Sequence, residues 1–459
     1  MSIPQPLAAP AVEEVAVRSK RMGGGAGHRL FVLALAGLAW IIPALWNPTF
    51  LYGLLVWDAL LAAAYAIDWL RLPRPQQLRI RRQWQTPLSI GAPCQLSLVV
   101  ENDSTVDLRI VATDDLPVSR WHTPQPLALL APAGQSASVS CSYTPSQRGD
   151  LAVGQVYLRY RTAFDMAEKW AKVDLRQTVR VYPNFEHARK HAVYLARSRQ
   201  IEMQMRMIRM RGIGSNFESL RDYLEGDELR NVCWTASARR GKLVTKTYQV
   251  ERSQAVWLVL DCGRLMRART EGYSKLDRAV DAALCLTQLA LYSGDRVALL
   301  SYGRGINQRV MPGRGATQLR YLVEQLAVVR EEAPEADHTR AAATLMSLQK
   351  RRGLVIWITD LAESAMTPEV IQAAGHLLSR HLLLFLVMEH TEIKRRAADI
   401  PASAEDMYEV VAAQEVVYRR ELLLGRLRER GAFCLEVAPA QLSAAILNQY
   451  LSIKERNLV

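Results

Sequence analysis

The 459-residue chain contains no Gly-x-Ser-x-Gly, no Gly-x-x-x-x-Gly-Lys-Ser/Thr and no His-Glu-x-x-His. These absences remove, in turn, the nucleophile elbow of serine hydrolases, the phosphate loop of NTPases and the helix-borne zinc of metalloproteases. Its six cysteines, Cys94, Cys141, Cys233, Cys262, Cys285 and Cys434, form no Cys-x-x-Cys pair and no Cys–His group at metal spacing, which points to a reduced compartment. An RNA-binding aromatic signature is missing too, although the net charge is +13. That charge suits an anionic partner, and its placement has to say which one. Residues 180–252 hold 15 Lys and Arg against 8 acids, and much of the remaining excess flanks apolar runs near the N-terminus. No nucleic-acid partner is expected; binding of anionic lipid or nucleic acid through this basic segment stands as the weakest of three readings.

Long uncharged runs are present. Leu30–Trp46 carries no charge, Asn47-Pro48 breaks it, and a second apolar run returns from Phe50 to Ile67, interrupted by Asp58. Each is about the length that crosses a hydrocarbon core, so residues 30–70 are expected to form a two-helix transmembrane hairpin in the phospholipid bilayer. Arg18, Lys20, Arg21 and Arg29 precede it, Arg71, Arg74, Arg79, Arg81 and Arg82 follow it, and the turn has no cation. By the positive-inside rule both termini and the soluble parts face the cytoplasm of a bacterial inner membrane. Trp40, Trp46, Trp57 and Trp69 supply interfacial anchors. Residues 1–29, with Gly23-Gly24-Gly25-Ala26-Gly27, read as a flexible basic cytoplasmic tail.

A chain this long exceeds one ordinary core. Over residues 76–183 short alternating runs such as Gln95–Val100, Leu108–Ala112, Ala137–Tyr143 and Gln155–Tyr160 predict a β-sandwich of immunoglobulin-like or fibronectin-like type. Cys94, Trp121 and Cys141 follow the cysteine–tryptophan–cysteine order of immunoglobulin domains, but cytoplasmic thiols stay reduced. Residues 184–253 read as a linker, helical from Phe185 to Arg211, followed by a motif-rich segment. From 254 to 459, buried strands alternate with amphipathic helices: strands at Ala255–Asp261, Arg296–Ser301, Leu354–Asp360 and Leu382–Met388, with helices between. This predicts a multidomain protein whose C-terminal part is a Rossmann-like α/β domain with a parallel sheet covered on both faces.

Asp261 and Asp360 close two of those strands, so both carboxylates emerge at the carboxyl edge, where open α/β sheets bind ligands. With Thr317 from an intervening loop they offer oxygen ligands to a hard cation. Here the chain resembles von Willebrand factor A-like domains, in which a first-strand Asp-x-Ser-x-Ser, a loop Thr and a later Asp build a metal-dependent adhesion site. This sequence has Asp261-Cys262-Gly263-Arg264-Leu265, with Gly263 and Leu265 at the serine positions. The site is therefore expected to be degenerate, with no cofactor and only a minor prospect of Mg²⁺. The second reading of the same residues is a divalent-metal-dependent hydrolase at the Asp261/Asp360 crevice.

Just before this domain, Gly214–Arg239 fills a densely spaced motif: Gly214, Phe217, Arg221, Tyr223, Gly226, Asp227, Arg230, Trp234 and Arg239. It resembles the signature of the bacterial domain-of-unknown-function 58 family. Physically, Arg221, Arg230 and Arg239 with Asp227 are suited to a buried ion-pair cluster over Trp234, a structural clasp between the soluble parts. A docking surface is the alternative. The resemblance implies a membrane-anchored protein-binding scaffold or adaptor without enzymatic activity. Its implied partners are a MoxR-type AAA+ ATPase and other membrane or envelope proteins, in complex assembly or envelope stress.

Overall fold

The computed structural model describes residues 16–84, 87–117, 126–184, 194, 197–198, 200–201, 216–224, 229, 232–249, 254–270, 272–361, 367–456 and 458. The chain divides into two units, residues 1–182 and 183–459, making a mixed α/β multidomain protein. The first is almost all strand outside its two apolar helical segments; the second is built on one large mixed sheet.

In the first unit, the alternation of apolar and polar residues works as pattern arguments require. Leu78, Ile80, Leu98 and Val100 from one antiparallel sheet share a core with Ile110, Ala112, Val156, Leu158 and Tyr160 from another. The first sheet runs Val17–Arg18, Leu78–Trp84, Cys94–Asn102, Ser136–Tyr143; the second runs Lys20–Ala26, Ala167–Val173, Val156–Arg161, Leu108–Asp114, Leu127–Ala131. Cys94 and Cys141 lie on neighbouring strands of the first sheet, in register with Tyr143 and Leu96 respectively, and all six cysteines are free. An ion pair takes the inter-sheet position instead. Buried Arg82 donates to both oxygens of Asp114 across the gap and to the carbonyls of Leu175 and Gly154.

One expectation is corrected here. The glycine run is not a tether: Lys20–Ala26 is an edge strand on Ala167–Val173. Its glycines allow close approach, since a Cβ at Gly24 would sit 2.5 Å from the Trp69 ring and one at Gly27 2.2 Å from the Asp165 carbonyl oxygen. The two apolar segments also come out unequal. Phe50–Arg71 is one 22-residue helix, long and apolar enough to cross a membrane, whereas His28–Ala44 is shorter and passes through a 3₁₀ turn at Leu38–Trp40. They pack by reciprocal glycine and tryptophan: Trp57 lies against Gly37 and donates to the Leu33 carbonyl at 3.0 Å, and Trp40 lies against Gly53.

The long helix is fastened to the sheets by a carboxylate near its C-terminal end. Asp68, buried, accepts from Thr162 Oγ1 at 2.5 Å and from the backbone N–H of Met166 and Ala167 at 3.0 and 2.9 Å. Lys169 adds a bond to the Leu72 carbonyl at 2.6 Å and lies over the Trp69 ring. Asp68→Ala strands two buried donors and a part-buried one, and a net loss of about 2–4 kcal/mol is expected. Limited proteolysis of the full chain in detergent checks it: cleavage should appear in residues 71–78, and an unchanged digestion pattern would refute the latch.

In the second unit, β1 (Ala255–Asp261) and β4 (Leu354–Thr359) are buried at every residue, the mark of strands covered on both faces. With β2 (Arg296–Tyr302), β3 (Ile306–Gly313), β5 (Leu382–Met388) and β6 (Phe433–Val437) they form one sheet in the order β3-β2-β1-β4-β5-β6. All neighbours are parallel except the edge strand β3. Helices α1 (Lys275–Tyr292), α2 (Gly315–Val328), α3 (His338–Leu348), α4 (Thr367–Leu378), α5 (Thr391–Ala398), α6 (Ala404–Glu429) and α7 (Leu442–Glu455) lie in the connections and at the C-terminus. From β1 the chain moves outward through β2 and β3, then returns to β4 on the other side. The switch point therefore lies between β1 and β4, the crevice where open sheets of this kind hold ligands.

Candidate functional site

Asp261 ends β1 and Asp360 follows β4, so the two carboxylates flank the switch point. Both are buried, yet their environments differ. Asp261 accepts from the Gly263 N–H at 2.7 Å and from Thr359 Oγ1 at 2.6 Å. Burial pushes its carboxyl above the ordinary range, against nearby His338 and these two donors. Asp360 is surrounded by donors, two of them cations. Lys275 Nζ lies 2.6 Å from Oδ2, His390 Nε2 2.9 Å from Oδ2, and Arg420 Nη1 3.1 Å from Oδ1. Burial alone would raise this carboxyl, but the His390 bond and the charges of Lys275 and Arg420 overcome it and hold it down to about 2.

Each of these partners is placed by local structure. Lys275 is the first residue of α1, whose N-cap Ser274 accepts from the Asp277 N–H while the Asp277 carboxylate accepts from the Ser274 N–H. His390 is the N-cap of α5, just past the end of β5. Its Nε2 faces the carboxylate and its Nδ1 faces the Lys275 ammonium at 3.1 Å, so a neutral ring protonated on Nε2 satisfies both. Arg420 comes from within α6 and also binds the carbonyls of Leu361 and Met388, with Glu436 of β6 2.9 Å from its Nε. Burial lowers Lys275 more than Asp360 raises it. Beside the crevice, the Tyr302 hydroxyl accepts from Trp357 Nε1 at 2.6 Å and shares a hydrogen bond with His338 Nδ1 at 2.8 Å.

Thr317 is not part of this arrangement. It is exposed near the start of α2, after an antiparallel strand has carried the chain back to the other edge of the sheet. Its neighbour Gln318 donates to the Val297 carbonyl at the beginning of β2, whereas Asp261 pairs with Tyr302 at the end. Strand rise puts the two edges roughly 16 Å apart. Nor is there space for the first missing serine: a Cβ on Gly263 would stand 2.8 Å from the Ala336 nitrogen. A hard divalent ion needs about six oxygen ligands. Here every carboxylate oxygen already accepts from a protein donor, and an ammonium occupies the position of a carboxylate-bound cation. Among the described residues, no group of three or more His, Cys, Asp and Glu is arranged to hold a metal. The residues at this crevice do not fit Mg²⁺.

The motif-rich segment forms a hairpin, Asn216–Asp222 paired with Val244–Gln249, and a short helix, Trp234–Arg240, closed by Gly241 in the left-handed region. Gly214, Gly226, Asp227 and Arg230 lie outside the described residues, as does the side chain of Phe217 and most of the expected 185–211 helix. The described members do not form a buried clasp. Arg221 and Arg239 are exposed, Tyr223 is half-buried and Trp234 is 66% exposed; Leu224, Leu229 and Leu243 of the same segment are exposed too.

Residues 219–400 match the family model described as a protein of unknown function, DUF58. Uncharacterized proteins of Mycobacterium tuberculosis and Mycobacterium bovis are 28% identical over 153 residues, 32% of this chain and 48% of theirs. The chain thus spans about half the length of the curated relatives it matches. The conserved hypothetical protein BatB from Bacteroides thetaiotaomicron overlaps 44% of this chain and 99% of its own, at 12% identity and a TM-score of 0.29. The uncharacterized membrane spanning protein from Vibrio fischeri overlaps 43% of this chain and 96% of its own, at 12% identity and a TM-score of 0.17. Superpositions at that level leave the strand order to speak for the fold.

The two carboxylates predict opposite responses to neutralisation. Asp360→Asn leaves Lys275 as a buried cation without its carboxylate and removes one of the two carboxylates that Arg420 meets, and it should cost about 3–5 kcal/mol. Asp261→Asn removes a charge that burial disfavours and should be neutral or stabilising at pH 7. The signs with pH follow. Asp360 is depressed, so its contribution is whole above the ordinary carboxylate range and is lost only as pH falls toward about 2. Asp261 is raised, so its penalty is present at neutral pH and relieved as acid protonates it. Urea unfolding of the full chain in detergent between pH 7 and pH 4, followed by the fluorescence of buried Trp257 and Trp357, checks both; equal losses at pH 7 would contradict this asymmetry.

Proposed function

We propose that this chain is a cytoplasm-facing, inner-membrane-anchored scaffold or adaptor that binds proteins. In this reading the C-terminal unit is a degenerate von Willebrand factor A-like domain, and the two-sheet unit is immunoglobulin-like or fibronectin-like. The partner is a MoxR-type AAA+ ATPase, acting with it in complex assembly or envelope stress. The observation that carries the proposal is the run of exposed large apolar side chains in the motif segment, Leu224, Leu229, Trp234 and Leu243, within a stretch otherwise rich in arginine. Exposed tryptophan and leucine recurring in one short segment are the side chains that anchor protein-binding surfaces. The crevice adds to the argument from the other side: its carboxylates are committed to internal cations and donors, leaving neither a free base nor a metal cradle for hydrolysis.

Affinity purification of the full chain from solubilised membranes should recover an AAA+ ATPase. Trp234→Ala should reduce that recovery at least about tenfold, as loss of an aromatic hot spot does, with unfolding unchanged. Consistent failure to recover an ATPase or any other protein would sink the reading. Calorimetric titration with Mg²⁺ separates it from the hydrolase alternative: no binding heat is expected, and a stoichiometric isotherm abolished by Asp360→Asn would favour the metal enzyme.

The anchor is read as a hairpin with both ends in the cytoplasm, from the arginines before and after it and the uncharged turn at Asn47-Pro48. A cysteine introduced as Asn47→Cys should then react with a membrane-impermeant maleimide applied from the periplasmic side. Protection there, with labelling only after membrane disruption, would exclude the two-pass arrangement.

A further inference from the structure

We infer that this chain self-associates through the outer face of α6, which packs antiparallel against the same helix of a second copy. The helix is 26 residues long, and one face belongs to its own domain: Val410, Ala413, Arg420, Leu423, Leu424 and Leu427 are buried. On the opposite face, Tyr408, Val411, Glu415, Tyr418, Leu422 and Gly425 follow one another at spacings of three and four residues, the seam of a two-stranded coiled coil. Its large apolar members are open to water, with Tyr408 74%, Val411 54%, Tyr418 58% and Leu422 45% exposed. An amphipathic helix anchored on one side by a buried arginine has no folding reason to carry this second stripe.

The stripe is complementary to itself in one register. Setting Glu415 opposite Tyr418 of the second copy brings Val411 opposite Leu422 and Tyr408 opposite Gly425, and the two-fold axis repeats all three layers. Each layer pairs sensibly. The carboxylate meets a phenolic hydroxyl, two aliphatic side chains meet each other, and the most exposed aromatic meets the one position with no side chain, where a Cβ would find nothing within 4 Å. The six-layer seam is therefore closed and isologous, as a C2 interface requires.

Charge selects the antiparallel direction. Residues 399–418 contain five acids and no Lys or Arg, whereas residues 419–430 contain five Arg and two Glu, within a chain of net charge +13. Asp399, Asp406 and Glu409 are already bound by Arg396 and Arg420 is buried on Asp360, so the outer charges decide: antiparallel pairing sets exposed Glu405 beside exposed Arg426 of the second copy, twice. Parallel pairing would set like against like. One helix pair buries less than the roughly 1,600 Å² of a standard interface, so association is reversible. Confinement of both copies to one membrane, which rests on the proposed anchor, raises their effective concentration.

Sedimentation velocity of the full chain in detergent should show a concentration-dependent dimer. Val411→Asp or Leu422→Asp should abolish it with unfolding unchanged. Glu405→Arg should raise the dissociation constant about tenfold through two like-charge contacts, and the double change Glu405→Arg with Arg426→Glu should restore it. A mixture of Val411→Cys and Leu422→Cys copies should form a disulfide under mild oxidation that Val411→Cys alone does not. A monomer at every concentration, a dimer indifferent to Val411→Asp, or disulfides formed by Val411→Cys alone would each overturn the proposal. The adaptor reading survives any of them, because it concerns the Trp234 face and a different partner.

Discussion

The Asp360 carboxylate is the point on which the α/β unit depends. It sits at the end of a central strand with none of its side chain exposed, and it gathers the first residue of α1, the N-cap of α5 and the middle of α6. An isolated buried carboxylate costs far more than a domain of this size has to spare. The ammonium, imidazole and guanidinium around it make burial tolerable, and in doing so they fix where three helices enter the sheet. Arg420 then sets the rotation of α6, because a guanidinium reaching Asp360 and the Met388 carbonyl leaves the helix only one way to face. The outward stripe with Tyr408 and Tyr418 follows from that rotation.

Much of this unit was legible in the sequence, and the reasons for the gaps are physical. Uniformly apolar runs such as Val355–Thr359 announce buried parallel strands, and an aspartate closing such a run must emerge at the carboxyl edge. Thr317 was misplaced because Ile306–Gly313, with its alternating burial, is an antiparallel edge strand that reverses the chain before α2. The cations facing Asp360 left only faint traces. Lys275 directly follows a capping serine, and Arg420 interrupts a helix face otherwise filled by Leu423, Leu424 and Leu427. An arginine in that position is a signal for a buried carboxylate, but nothing local says which one.

In the other unit the same principle replaces a covalent bond. The order Cys94, Trp121, Cys141 invites comparison with a disulfide-linked sandwich, yet the two cysteines fall on adjacent strands of one sheet. Burial pushes the Cys94 thiol up to about 11, so it is an inert hydrophobe and not a reactive thiolate. The link between sheets is the Arg82–Asp114 pair, with the arginine's remaining donors spent on two carbonyls. Such a pair holds in a reducing compartment where a disulfide would not. Asp68 plays a comparable part at the end of the long apolar helix, and the glycine run read as a tether is rigid for the related reason that Trp69 and the neighbouring backbone need its missing side chains.

These buried charges also bear on the choice between binding and catalysis. A catalytic carboxylate needs an atom left free to meet substrate, metal or proton, and a value near the working pH. Asp360 is far below that range with both oxygens engaged, and Asp261, although raised, holds a backbone N–H and a hydroxyl that fix it in place. Gly263 fits this picture, since the close approach of Ala336 leaves no room for a side chain there and its N–H is spent on Asp261. The crevice thus neutralises its own charges, and surfaces where apolar side chains meet water are the ones that support binding. Among the described residues, the Trp234 segment and the outer stripe of α6 are two such surfaces. They differ in character: the first is irregular and suits a partner of another kind, while the second is periodic, charge-polarised and complementary only to its own reverse.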